Sequence, residues 1–192
     1  MTSLSPPSDA EVVERHRRRY LFARLLARSL DGTLGLIVRS GSPSEIEPPR
    51  RILLANYGHL GDVVMSTACL HILKSTWPDV EIGFLIGSWS RALLEGHPDI
   101  GRLHVVDHWF MDRGPQSRLV KAPRYWTAAR KVAREISSVG YDVAVDLRAY
   151  RPNAIPVLWM ANIPVRIGYT SVGFGPLLTH PRSFIYSRKH ES

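Results

Sequence analysis

The amino-acid sequence predicts a doubly wound, Rossmann-like α/β domain built on a parallel sheet. Two observations carry that prediction. Short, unbroken apolar runs recur from residue 51 to residue 169, as strands buried on both faces require. Between them lie segments whose apolar residues fall at helical spacing. Strands alternating with helices imply right-handed crossovers, a parallel sheet and helices on both of its faces. With 192 residues, at roughly 150 per domain, the chain is long enough for one such domain plus an extension.

The elements follow in order. Residues 1–11 have loop composition. From Val12 to Leu30, Leu21, Leu25 and the set Phe22, Leu26 and Leu30 recur at helical spacing, with Arg17, Arg24 and Arg28 on another face, so a basic amphipathic helix is expected, stopped at Asp31-Gly32. Ser40 to Pro49 reads as a linker, which places the domain boundary after residue 49. Arg51–Asn56 is the first strand and Tyr57–Gly61 a glycine-bounded turn. Val63–Thr76 is a helix closed by Trp77-Pro78. Val80–Ile86 is the second strand, Gly87–Leu94 a short helix and Leu103–Val106 the third strand. Asp107–Tyr125 is polar and basic and reads as a long loop. Trp126–Val139 is helical, stopped by Gly140. Tyr141–Leu147 is the fourth strand, Ala154–Ala161 a short helix and Val165–Tyr169 the fifth strand. The expected organisation is an extension over 1–49, a Rossmann-like domain over 50–172 and a loop-like tail over 173–192.

Composition narrows the function. Lys and Arg total 25 against 17 Asp and Glu, a net charge of +8, which favours anionic partners. A single cysteine, Cys69, excludes an internal disulfide and a multi-cysteine zinc site, and is expected to pack in the core. No apolar run approaches the roughly 18 residues that cross a bilayer, and the stretch Tyr20–Leu30, broken by Arg24 and Arg28, is not a secretory signal. A soluble, reduced, cytoplasmic-type domain is expected.

In an open α/β sheet the ligand lies beyond the carboxyl ends of the strands, where the strand order reverses. The loops after Asn56, Val106 and Leu147 should converge there. The first, Asn56-Tyr57-Gly58-His59-Leu60-Gly61-Asp62, uses Gly58 and Gly61 to turn the backbone into a helix start with free N–H groups. Asp62 is either an ordinary helix cap or a carboxylate aimed at a bound hydroxyl, and spacing alone leaves both open. The pattern is not the dinucleotide fingerprint, and the second strand ends Ile86-Gly87-Ser88 without an acid, which disfavours a nicotinamide cofactor.

These residues carry a resemblance. Arg51-Ile52-Leu53-Leu54, Leu60-Gly61-Asp62-Val63-Val64, Thr67-Ala68-Cys69-Leu70, Trp77-Pro78-Asp79 and Glu95-Gly96-His97-Pro98-Asp99 resemble the amino-terminal half of glycosyltransferase family 9, the ADP-heptose–lipopolysaccharide heptosyltransferases and their relatives. Tyr141-Asp142-Val143-Ala144-Val145-Asp146-Leu147 and Arg166-Ile167-Gly168-Tyr169 continue it in order, over about Arg50 to Pro181. The resemblance implies the acceptor-binding domain of a GT-B enzyme, facing a carboxy-terminal domain that holds the nucleotide-sugar. It implies inverting transfer of heptose from ADP-heptose to a lipid-linked inner-core lipopolysaccharide acceptor, with Asp62 as general base and no resident cofactor or obligatory metal. Two departures accompany it. Asn56 stands where many members carry Arg, and the chain stops at Ser192, about where the interdomain connection would begin, so the donor domain is expected to be absent and the isolated chain inactive.

Further candidates surround that carboxylate. Arg113, Arg118, Lys121 and Arg124, beside Trp109, Tyr125 and Trp126, are individually ordinary surface cations; as a set they could grip acceptor phosphates or carboxylates. Arg148, at the end of the fourth strand, is the stronger candidate of a group with Tyr150, Arg151 and Asn153. His59 could contact the acceptor, whereas Asp146 is expected to be structural. The remaining histidines show no metal-ligand spacing, and Ser66 and Thr67 lack a nucleophile-elbow context. The basic segment 12–30 either docks on protein or attaches to anionic lipid, which would place the protein peripherally at the inner membrane face. The competing functions are a non-catalytic glycan- or anion-binding module, or truncated relic, and a nucleic-acid binder, for which no reader motif is present.

Overall fold

The computed structural model describes Ser29 and residues 31–35, 48–112, 114–171 and 173–183. The predicted helix over Val12–Leu30 therefore lies, apart from Ser29, outside the described residues. The expected stop at Asp31-Gly32 does not occur: residues 31–35 are helical. Leu34 packs on Ile155, Leu177 and Leu178, and Asp31 Oδ1 accepts the Gly175 N–H at 3.1 Å, so tertiary contacts carry the helix through the glycine.

Among the described residues six strands form one sheet in which every pair is parallel: β1 (Arg51–Asn56), β2 (Glu81–Ile86), β3 (Arg102–Val105), β4 (Val143–Asp146), β5 (Val165–Tyr169) and β6 (His180–Arg182). Their spatial order is β3-β2-β1-β4-β5-β6. The chain runs outward from β1 to one edge, returns to the centre at β4 and runs outward again. The reversal between β1 and β4 is the switch point of the fold.

The apolar runs are continuous because each strand feeds two cores. Leu53, Ala55 and Tyr57 of β1 and its extension pack under the helices α4 (Arg118–Val139) and α5 (Ile155–Met160). Ile52 and Leu54 point the other way, onto Val63 of α1 (Leu60–Ser66) and Leu70 of α2 (Ala68–Thr76). Alternate side chains on opposite faces, all apolar, leave no polar face for the strand to show. A 3₁₀ turn at Ser88–Ser90 and the one-turn helix α3 (Arg91–Leu94) follow β2.

Three segments differ from expectation, each for a local reason. The helix expected over Val63–Thr76 is broken at Thr67 into α1 and α2. Ser66 Oγ donates to the Asp62 carbonyl at 2.8 Å and Thr67 Oγ1 to that of Val64 at 2.7 Å, and this back-bonding competes with the helical ladder. Helix α4 starts at Arg118, eight residues before the expected Trp126. Pro123 disguises it, because a proline inside a helix removes one N–H and usually marks a boundary. Gly140, at φ 72°, ends α4 in the left-handed region as its composition predicts. The tail expected to be loop-like forms a 3₁₀ turn, Gly175–Leu177, and the strand β6 on the edge of β5. At three residues, His180-Pro181-Arg182 carries too little pattern to be legible.

Candidate functional site

The first loop of the sheet is fixed by Asn56, the last residue of β1. Its side chain is buried: Nδ2 donates to the Asp62 carbonyl at 3.1 Å and to Ser66 Oγ at 2.5 Å, and Oδ1 accepts the Gly58 N–H at 2.7 Å. One amide thus ties the strand end to both the turn and the first turn of α1. Asn56 is occupied in folding and has no donor to spare for an acceptor.

Asp62 is the third residue of α1. Its Oδ2 accepts the backbone N–H of His59, the residue before the helix, at 3.0 Å. That is a helix-start contact, the first of the two roles the spacing leaves open. The same oxygen receives Arg148 Nη1 at 2.9 Å across a sequence separation of 86 residues. The Asp62 side chain nevertheless stays 49% exposed, while that of Arg148 is only 13% exposed. Among the described residues Oδ1 makes no hydrogen bond, so one carboxylate oxygen is held and the other is unspent on a half-exposed side chain.

Gly58 lies beneath this pair. A Cβ there would sit 2.2 Å from Arg148 Nη1 and 2.5 Å from Asp62 Cβ, so only glycine fits. Its carbonyl accepts Trp89 Nε1–H at 2.9 Å, which brings the turn after β2 against the turn after β1. Gly61 differs from the turn role expected of it. It is the second residue of α1, and a Cβ there would meet nothing within 4 Å. His59 is exposed at the same turn.

The loop after β4 is organised by Asp146, which is 1% exposed. Its Oδ1 accepts the Arg148 N–H at 3.1 Å and its Oδ2 the Ala154 N–H at 2.6 Å. Burial pushes this carboxyl up to about 6, against the lowering effect of its backbone donors and of the Arg148 charge. Asp146 thereby sets the backbone that presents Arg148. The Arg148 guanidinium also reaches the Tyr150 and Arg151 carbonyls, each at 3.5 Å.

The basic residues after β3 separate into distinct roles. Arg113 lies outside the described residues. Lys121 points inward: its ammonium donates to the Asp112 and Gly114 carbonyls at 2.8 and 2.7 Å and pairs with Asp112 Oδ1 at 3.4 Å. Its donors hold the loop against α4, a task its sequence position gave no sign of. Arg118 is exposed, with its guanidinium 6.0 Å from the centre of the Phe110 ring. Arg124 donates to Gln116 Oε1 at 2.7 Å. The structure therefore joins Asp62, Arg148, Gly58 and His59, and gathers Arg118, Lys121 and Arg124 at the start of α4.

An aromatic stack connects the two groups. His108 lies 4.4 Å from Tyr125 of α4 and 5.8 Å from Tyr57, between ring centres, with Trp109 stacked on it at 5.6 Å. Burial among these rings pushes His108 down to about 4, so it is neutral at physiological pH. Asp107 grips the turn after β2 through the Ser88 N–H at 2.7 Å and the Ser88 hydroxyl at 2.9 Å. Tyr57, Trp89, Asp107 and His108 are site-building residues the sequence reading missed. Their one signal is position, each falling just past the carboxyl end of a strand.

No protein-family model and no curated protein sequence matches the chain. Solved structures do. The glycosyl transferase family 9 structure from Veillonella parvula DSM 2008 is 24% identical with a TM-score of 0.58, over 73% of this chain and 37% of that one. E. coli ADP-heptose lps heptosyltransferase II is 21% identical with a TM-score of 0.55, over 70% of this chain and 35% of that one. E. coli heptosyltransferase WaaC with ADP is 14% identical with a TM-score of 0.53, over 73% and 42%. At these identities the likeness is one of fold, and the chain spans about two fifths of the length of these structures or less.

Proposed function

We propose that the chain is the acceptor-binding half of a glycosyltransferase of the family 9 type, and that Asp62 is its general base. One observation carries the reading: at the switch point of a sheet that resembles glycosyltransferase structures, a half-exposed carboxylate has one oxygen held and the other unspent. A sugar hydroxyl is a weak nucleophile until a base shares its proton. In the proposed step Asp62 Oδ1 takes that proton while the acceptor oxygen attacks the anomeric carbon from the face opposite the leaving group. The bond from that carbon to the diphosphate oxygen breaks, and its electron pair leaves with the nucleotide diphosphate. That outcome inverts the anomeric centre. The leaving diphosphate needs cations or helix termini, which this reading assigns to a carboxy-terminal donor domain.

ADP-heptose as donor, an anionic lipid-linked inner-core acceptor and a cytoplasmic position at the inner membrane face complete the proposal; the donor is suggested by the named structures and the motif resemblance, the acceptor and the position by the resemblance alone. No helix among the described residues is long and apolar enough to cross a membrane. Arg148, Arg118 and Arg124 are the cations proposed to meet acceptor anions, with His59 beside them.

A second reading draws on the same ion pair. With Arg148 already seated on Asp62, the chain can be a non-catalytic glycan- or anion-binding module in which the carboxylate only orients the arginine. One pair of measurements separates them. With a donor domain supplied, Asp62→Asn is expected to cut turnover by about 10²–10⁴, while the melting temperature and acceptor affinity by calorimetry stay near wild type. Undiminished turnover in that variant contradicts the base assignment; acceptor binding with no turnover in either protein leaves the binding module.

A further inference from the structure

The solvent face of α4 is built unlike an ordinary exposed helix. The helix has 22 residues, of which Arg118, Lys121, Arg124, Arg130, Lys131 and Arg134 are cationic and Glu135 alone is acidic. The acid is committed elsewhere: Glu135 Oε1 lies 2.6 Å from Nδ1 of the buried His104, whose Nε2 meets the Tyr141 hydroxyl at 2.9 Å. Lys121 is turned inward. Five exposed cations remain with no acidic residue on the helix to face them.

Their placement follows the helical period. Tyr125, Ala129, Val132 and Ile136 form the buried row, and Arg124, Arg130, Lys131 and Arg134 fall on the far side. With Pro123, Thr127 and Ala128, three of them line an open groove of about 540 Å³. Arg130 and Arg134 are one turn apart, as are Lys131 and Arg134, and like charges at those spacings repel. Solvated helix faces normally mix signs. Among the described residues none of the four makes a salt bridge; Arg124 and Arg134 donate only to neutral oxygens, of Gln116 and the Arg130 carbonyl. At the amino-terminal end, apolar side chains stand in water: Leu119 is 87%, Phe110 49% and Val120 44% exposed.

We propose that this face of α4 docks the protein on an anionic lipid bilayer. Cations along a helix side suit headgroup phosphates, and aliphatic side chains at one end suit the acyl boundary beneath them. A nucleic acid is matched less well, because the exposed apolar residues at that end are mainly aliphatic, not flat rings on which bases stack. Helix α4 follows β3, so its amino-terminal end starts from the carboxyl edge of the sheet, the edge at which Asp62 stands. The proposal stands without the glycosyltransferase reading.

The test is cosedimentation of the full chain with vesicles of phosphatidylcholine alone and of phosphatidylcholine mixed with phosphatidylglycerol. The chain is expected to pellet with the mixed vesicles only and to be released by high salt. Each cation near the surface contributes about fivefold in partitioning, so Arg124→Gln/Lys131→Gln/Arg134→Gln is expected to lose roughly a hundredfold. Glutamine keeps helix propensity and removes the repulsion, and circular dichroism verifies folding. Arg50→Gln/Arg91→Gln/Arg182→Gln removes the same net charge from other exposed positions and is expected to lose fivefold or less. Leu119→Ser tests the apolar tip and is expected to weaken binding with circular dichroism unchanged. Equal losses in the two triple variants, undiminished binding in the α4 variant, as when residues 12–30 carry the contact, or retention by random duplex DNA instead of vesicles would each overturn it.

Discussion

Asp62 and Asp146 stand on either side of the switch point, within reach of the same arginine, and are chemically unlike. Asp146 is sealed under the loop after β4, with both oxygens spent on backbone N–H groups and its carboxyl pushed up to about 6 by burial. Asp62 is half-exposed and spends one oxygen only. Closeness to the switch point does not distinguish them; the unspent lone pairs and the exposure to solvent do. The buried acid builds the site, because its hold on the Arg148 backbone aims the guanidinium that orients the exposed acid.

The largest expected effect lies in pH dependence, where Asp146 and the buried His108 oppose one another. A carboxyl whose folded value is raised, from 3.8 to about 6, holds a proton that the unfolded chain has released, so its contribution to stability falls as pH rises through that window. A histidine lowered from 6.5 to about 4 does the reverse, and its contribution falls as pH drops from 6.5 to 4. Each amounts to about 3 kcal/mol, and in the wild type they nearly cancel. Urea unfolding at pH 4 and pH 6.5 should show His108→Phe losing about 3 kcal/mol as pH rises and Asp146→Asn gaining about as much, relative to wild type. Two flat profiles would break the contrast.

Asp146→Ala comes next. It orphans two backbone donors and is expected to cost about 2–3 kcal/mol at neutral pH, whereas Asp62→Asn, losing a partly solvated pair, should cost less than about 1 kcal/mol. Equal losses in denaturant titrations would make the two acids alike. Gly58→Ala forces Arg148 and Asp62 apart and is expected to cost about 1–2 kcal/mol, with acceptor affinity falling in calorimetry. The smallest effect sharpens the comparison: Gly61→Ala fills open space at a helical position and should stabilise by about 0.5 kcal/mol. A loss of acceptor binding alongside that gain would show the acceptor resting on Gly61.

Much of this was legible in the chain itself. The strands were readable because burial on both faces forces continuous apolar runs at Arg51–Asn56 and Val165–Tyr169, and both agree with the structure to the residue. The turn through Gly58 and the candidacy of Asp62 and Arg148 followed from where strands end. Pro123 hid the start of α4, because local propensity marks a break that the buried contacts of Lys121 and Tyr125 override. Lys121 itself looked like its neighbours, since a lysine facing loop carbonyls and one facing solvent are identical letters.

The sequence by itself determined the layered architecture, the positions of the first five strands and the position of the carboxylate at a strand-to-helix turn, because periodicity and turn chemistry are local. The tertiary structure alone decided how the oxygens of the two acids are occupied, which cation meets Asp62 across 86 residues, and on which side of α4 the positive charge accumulates. Those outcomes depend on long-range packing, which sets solvation and lone-pair occupancy after the local elements are formed.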